Sequence, residues 1–261
     1  MSFSDYVENK LLDHVLKVSS YSVPANIYIA LSLADPLDDG SGLAEPAGGD
    51  YARVLCNDWN PASGRRTRNT NQVTFATATA AWGEVTHFAI MDAIADGNML
   101  ASGMLYQSRI VTTGKTVLFE PNELMIYWEK GGLSNYLANA LINHVFKVSS
   151  YSVPANIYIA LATDTINDAS DGDSIEEPSD ASYERVLCND WDAAVDGVSQ
   201  NTDPIEYDTV INSWGEVSDV ALMDADSGGN ILFYGKLIEA IRALDGVTVS
   251  FDAGELSISM D

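Results

Sequence analysis

The stretch His14–Leu31 reads HVLKVSSYSVPANIYIAL, and the chain contains it again at His144–Leu161 as HVFKVSSYSVPANIYIAL. Only Leu16 gives way, to Phe146, so 17 of 18 positions match at an offset of 130. Each copy runs from a helix end through a Pro-marked turn into a strand. A period of this size is a domain duplication, not a solenoid. The 261 residues therefore divide into two units, 1–130 and 131–261, each near the commonest domain size.

Upstream of the repeated stretch, Ser4–Val18 is predicted to be an amphipathic helix. Ser4 caps it, Val7, Leu11 and Val15 form one stripe, and Leu12 and Leu16 lie beside it. Ser134–Val148 is its counterpart. Pro24 pushes the chain into an extended approach, and Ile27, Ile29 and Leu31 then alternate as on a half-buried strand. A polar loop follows, Asp35–Asp50 or Asp164–Ser182, across which the offset rises to 132.

Beyond it come the strands Tyr51–Trp59 (YARVLCNDW) and Tyr183–Trp191 (YERVLCNDW), and the weaker runs Gln72–Ala80 and Asp203–Ile211. WGEVTHFAIMDA (Trp82–Ala93) pairs with WGEVSDVALMDA (Trp214–Ala225), placing Phe88, Ile90, Val220 and Leu222 on a core face and His87 and Asp219 on the other. Gly-Asn turns lead to strands expected to end at Gly103 and Gly235. Two closing strands, Lys115–Phe119 with Leu124–Trp128, recur as Val247–Phe251 with Leu256–Met260. One helix and about seven short strands per half predict a mainly β protein. Its architecture is two tandem antiparallel β-sandwich or jelly-roll-like domains, each with an N-terminal α-helix.

Composition narrows the function classes. With 46% hydrophobic residues and a mean hydropathy of −0.01, each half has material for a core. The net charge of −25 is uneven: residues 1–130 carry 9 Lys+Arg against 15 Asp+Glu, and residues 131–261 carry 4 against 23. Such a polyanion repels nucleic acid and anionic lipid. No run of about 18 apolar residues predicts a membrane span. The N-terminal MSFSDYVENKLL lacks the basic and apolar regions of a secretory leader. Cys56 and Cys188 occupy one repeat position and are read as two buried free thiols.

No catalytic constellation is found and no cofactor is called for. His14 and His144 lack the spaced partners of a metal site and are read as structural. The acidic runs Asp171–Glu177 and Asp224–Asn230 resemble calcium loops in composition but lack EF-hand spacing, so they are read as solvated turns. Asp58 beside Trp59, and Asp190 beside Trp191, offer an acid next to an aromatic, as a glycan site would use. The competing expectation is that these tryptophans close the core. Arg65, Arg66 and Arg68 form a basic patch confined to the first copy, a docking point for an acidic neighbour.

Several blocks resemble a family. LINHVF (Leu141–Phe146), Ile157–Leu161, Trp82–Ala93, GNILFY (Gly229–Tyr234) and FDAGEL (Phe251–Leu256) follow one another as in the small tailed-bacteriophage domains labelled phage tail fibre or minor structural protein. The resemblance covers almost the whole chain, once per half, and its motifs are structural. It implies a non-enzymatic virion protein, assembled in the host cytoplasm and exposed on the particle. Its partners would be capsid or tail proteins and further copies of itself, three copies giving a pseudo-hexameric arrangement. The chain has no heptad run, collagen repeat or β-helix period to build a shaft. A compact block suits a capsid decoration or cement protein, or a small fibre or baseplate piece. The alternative is a receptor- or glycan-binding module using the loops Asp35–Asp50 and Asp164–Ser182.

Overall fold

A computed structural model describes residues 2–260. In chain order the first half contains β1 (Ser2–Phe3), α1 (Asp5–Val15), β2 (Tyr28–Ser32), β3 (Val54–Leu55), β4 (Arg66–Arg68), β5 (Val73–Thr74), β6 (Gly83–Met91), β7 (Met99–Val111), β8 (Leu118–Phe119) and β9 (Met125–Tyr127). The second half contains α2 (Asn135–Val145), β10 (Tyr158–Ala162), β11 (Val186–Leu187), β12 (Val198–Gln200), β13 (Ile205–Glu206), β14 (Gly215–Met223), β15 (Ile231–Ala243), β16 (Ser250–Phe251) and β17 (Ser257–Ser259). The protein is mainly β, its sheets fall into two groups, and each group has a helix near its start.

Each group is a sandwich of one continuous antiparallel sheet and two short ribbons. The first sheet has the order β1-β7-β6-β2-β3 and the second β11-β10-β14-β15. Where β1 pairs with β7 through Phe3 and Ala101, the second half keeps a single bridge between Leu133 and Phe233. The ribbons are β4–β9 and β5–β8, repeated as β12–β17 and β13–β16. Phe88 on β6 meets Phe119 on β8 at 6.3 Å, which ties sheet to ribbon.

The pairing corrects three expectations. The closing strands, expected as a pair, do not pair with each other: β8 goes to β5 and β9 to β4. β4 and β12 arise in the diverged segment after Trp59 or Trp191, where no strand is expected. β7 and β15 run eight residues beyond Gly103 and Gly235. They do so past a bulge that sets Leu105–Ser108 opposite Thr86 alone.

Burial also departs from the simple pattern. Ile29 and Leu31 face the core, but Ala30 and Ser32 are buried too. Loop 33–50 folds over the outer sheet face and makes a small apolar cluster there with Ala89, Met91 and Met99. The second half does the same with Ala160, Ala162, Ala221 and Met223. Phe88, Ile90 and Leu222 are core residues as expected, whereas Val220 is only half-buried and Asp219 is buried. In place of one core per half, a single apolar cluster runs through both.

The two helices cause that fusion. Ser4 sits extended at the N-cap and accepts from the Val7 amide, and Ser134 does so from Leu137, satisfying an otherwise orphaned helix donor. Each helix ends at a lysine in the left-handed region, Lys17 at φ 67° and Lys147 at φ 63°. The Val18 and Val148 amides close the ends on Asp13 and Asn143 carbonyls, a Schellman-type stop where Gly is usual. A lysine serves because its side chain is used across the repeat. Lys17 Nζ donates to Ala155 O and Asn189 Oδ1, and Lys147 Nζ donates to Ala25 O.

Candidate interaction surfaces

The two copies face each other about a pseudo-twofold axis on which His14 and His144 stack, ring centroids 5.0 Å apart and 7° from parallel. Tyr151 and Tyr21 close the pair edge-on. Each His Nδ1 accepts a backbone amide from its own copy, Tyr21 N at 3.3 Å and Tyr151 N at 3.1 Å. Burial lowers both imidazole pKa values, and His14 lowers that of His144 further. These are interface residues.

Around the axis the bonds are reciprocal. Asp13 accepts from Ala194 N and Asn143 from Ala62 N, both at 2.7 Å. Asn9 accepts from Gly197 N and Asn139 from Arg65 N, both at 2.9 Å. Phe146 packs on Trp59 of the first half, centroids 4.4 Å apart. The two helices, together with the repeated stretch that ends each of them, thus carry the contact by which one copy holds the other.

The three arginines separate. Arg65 is 3% exposed and adopts φ 63°, so it cannot dock an external partner. Its guanidinium donates to the carbonyls of Leu133 (2.7 Å), Trp128 and Glu129, and lies 3.5 Å from Asp168. It clamps the linker between the copies. The equivalent position is Gly197, where an added Cβ would sit 2.5 Å from Met260 O. The chain has one linker, and that is why it has one such arginine.

Arg66 is exposed and Arg68 partly so, held by a bond to Asn122 O at 2.6 Å. They stand opposite Tyr127 and Met125 across the β4–β9 ladder, with side chains on the same outward face.

The acid–aromatic pairs do not form a platform. Trp59 and Trp191 are 5% and 6% exposed, and their indole N–H groups donate to Cys56 O and Cys188 O. Asp58 lies at the surface and accepts from Asn71 at 3.0 Å. Asp190 lies at the surface too, and its carbonyl accepts from Thr202 N at 3.0 Å. The rings that would stack on a sugar are inside the core.

The long loops are pinned rather than free. Arg53 pairs with Glu45 at 2.7 Å and donates to the Ala93 and Asp96 carbonyls. Arg185 pairs with Glu177 at 2.7 Å and donates to the Ala225 and Gly228 carbonyls. Tyr51 and Tyr183 join each pair to β2 and β10. Sequence reasoning missed these clamps, although the signal was there: an arginine retained in both copies of YxRVLCNDW.

The calcium-like run at Asp224 is a turn whose carboxylate accepts from the Asn230 amide and side chain, as Asp92 does from Asn98. Gly97 and Gly229 are required there, since a Cβ would lie 2.3 Å and 2.5 Å from those carboxylates. Among the described residues no group of three or more His, Cys, Asp or Glu is arranged around a metal, and no helix is long and apolar enough to cross a membrane.

The chain matches the family described as podophage GP4 fiber I protein gp80 twice, over residues 2–127 and 132–259. A comparison with curated proteins finds no match.

Proposed function

The chain belongs to the podophage GP4 fiber I protein family, and from that membership we propose that it is a non-enzymatic structural component on the exterior of a phage particle. It is held there by protein–protein contacts and joins the particle in the host cytoplasm. The observation that supports this is the use made of the duplication. Of what the copies 1–130 and 131–261 share, the helices and the stretches that end them join the two halves, while exposed differences such as Arg66 and Arg68 lie on outward faces.

A fibre or tail-associated place fits the family description better than a capsid cement role. Self-association fits a chain whose two units offer related but unequal faces. The receptor-binding alternative keeps its surface loops but loses Trp59 and Trp191 as stacking residues.

Labelling purified particles with an antibody to the folded chain and viewing them by electron microscopy tests the assignment. Label at the tail or its fibres is expected. Particles that lack the protein altogether would sink it.

A further inference from the structure

The duplication provides an internal control for any surface feature, because each position has a counterpart. One counterpart pair differs sharply. In the second half a groove of about 690 Å³ opens between β15 and β17, lined among others by Val220, Leu222, Leu237, Ile241, Phe251 and Ile258. In the first half the counterpart positions carry larger side chains. Phe88 stands where Val220 is, and Arg109 stands where Ile241 is. Arg109 lies over the Phe119 ring at 4.7 Å, donates to Leu118 O and pairs with Glu123.

The counterpart of Glu123 is Glu255, on the rim of the groove. Its arginine is gone, and Glu239 adds a second exposed carboxylate where the first half has Gln107. Neither Glu239 nor Glu255 has an ion-pair partner among the described residues. The groove therefore lacks what its twin contains: apolar bulk with a guanidinium beside it.

The first half presents that chemistry outward. On the β4–β9 ribbon, Arg66 lies across from Tyr127 and Arg68 across from Met125, all four on the outer face. The second half has Val198, Gln200, Ser257 and Ser259 at these positions, and both serines line the groove. Arg66, Arg68, Tyr127 and Met125 form the ridge of the first half, and all but Arg68 border a hollow of about 430 Å³ shared with Trp128 and Glu129; the groove of the second half sets Glu239 and Glu255 against one lysine, Lys236.

We propose that copies of this chain associate head to tail, the Arg66/Arg68/Tyr127/Met125 ridge of one seated in the Val220/Ile241 groove of the next. The arginines meet Glu239 and Glu255, and Tyr127 or Met125 takes the space that Phe88 takes in the first half. The charge balance favours this pairing over groove against groove, which would bring two of the more acidic halves together. A head-to-tail contact closes into a ring or continues as a filament. Three copies closing would present six units. The contact deepens the self-association reading above but does not depend on where the particle carries the protein.

Sedimentation velocity on the purified full chain, across concentration and salt, tests it. Wild type is expected to gain mass with concentration and lose it with salt, as exposed ion pairs are screened. The Arg66→Glu/Arg68→Glu variant should associate at least roughly tenfold more weakly. So should Val220→Phe/Ile241→Arg, which restores the first half's filling; Glu255→Lys provides a second, surface-only lesion. The decisive arm mixes the ridge variant with a groove variant, each folded by circular dichroism. One intact ridge and one intact groove remain, so the mixture should form a one-to-one dimer and stop there. A wild type that stays monomeric up to its solubility limit overturns the proposal. Ridge variants that associate as tightly as wild type, or a mixture that never dimerises, do the same. None of these results bears on antibody labelling of particles.

Discussion

The two halves of this chain share an interior and differ in what they do at their surfaces. Both bury the same helix stripe, stack the same histidine, and pin the same long loop with an Arg–Glu pair. At three of the places where they differ, the first half holds the larger or the charged side chain. Arg65 answers Gly197, Phe88 answers Val220, and Arg109 answers Ile241. The reverse occurs once in the repeated stretch, where Phe146 answers Leu16. A duplicated domain that meets its twin must satisfy a nearly symmetric interface plus one asymmetric feature, the linker. The first-half arginine at 65 serves the linker, Phe88 fills the core against Phe119, and Arg109 lies over the same ring.

The largest effect is expected at Phe146. It is fully buried between Trp59 at 4.4 Å and Phe3 at 6.2 Å. Phe146→Ala should cost about 3–5 kcal/mol of unfolding free energy, read by urea denaturation. Phe146→Leu, which makes the copies identical here, should cost under about 1.5 kcal/mol. If both cost the same, the contact with Trp59 does not hold the halves.

Arg65 comes next. Arg65→Met takes the guanidinium donors from three carbonyls and the ion pair from Asp168, which keeps Tyr234 and Gly131, for a loss of about 3 kcal/mol. The converse, Gly197→Arg, meets Met260 O and the φ of 72°, and should also destabilise. A melting temperature for Gly197→Arg equal to wild type would show that the asymmetry at this position is neutral.

Sequence periodicity exposed the duplication, both helix caps, and the core face of β6 and β14, because each of these is a local pattern. Ser4 and Ser134 precede their stripes at capping distance, and alternation marks Phe88 and Ile90. What escaped is non-local. The partners of β8 and β9 lie more than 40 residues upstream, and strict alternation in two neighbouring strands looks the same whether or not they pair. Likewise Arg65, Arg66 and Arg68 form one cluster in the sequence. Only the left-handed turn at Arg65 and the ladder at Arg66–Arg68 send the first inward and leave the second outward. The tryptophans next to Asp58 and Asp190 carried two readings, and burial selects between them.

A smaller effect is expected from the stacked histidines. Their folded-state pKa values lie below the ordinary imidazole value of 6.5. The neutral pair's contribution is thus present above that value and is lost as pH falls through the lowered folded values. Protonation also places two charges on stacked rings and takes Nδ1 away from the Tyr21 and Tyr151 amides. The melting temperature of wild type should therefore fall more steeply from roughly pH 7 to pH 5 than that of His14→Gln/His144→Gln. Carboxylate titration is common to both proteins, so parallel curves would remove the histidines from the acid response.

The smallest effect concerns the cysteines, and it compares the halves most directly. Cys56 and Cys188 are free and buried at one repeat position. Burial pushes their thiols up, to about 12 and about 11 respectively. Reduction should leave the melting temperature unchanged, and native protein should react slowly with a thiol-specific alkylating agent, since the thiolate is the nucleophile. Reaction then requires local opening, whose free energy differs between regions with their apolar packing. The first half is filled by Phe88 and covered by Arg109, while the second is open at its groove. Mass spectrometry of partially labelled protein should find Cys188 modified ahead of Cys56, and Val220→Phe/Ile241→Arg should narrow the gap. Equal labelling in wild type would mean that the groove changes the surface of the second half without loosening its core.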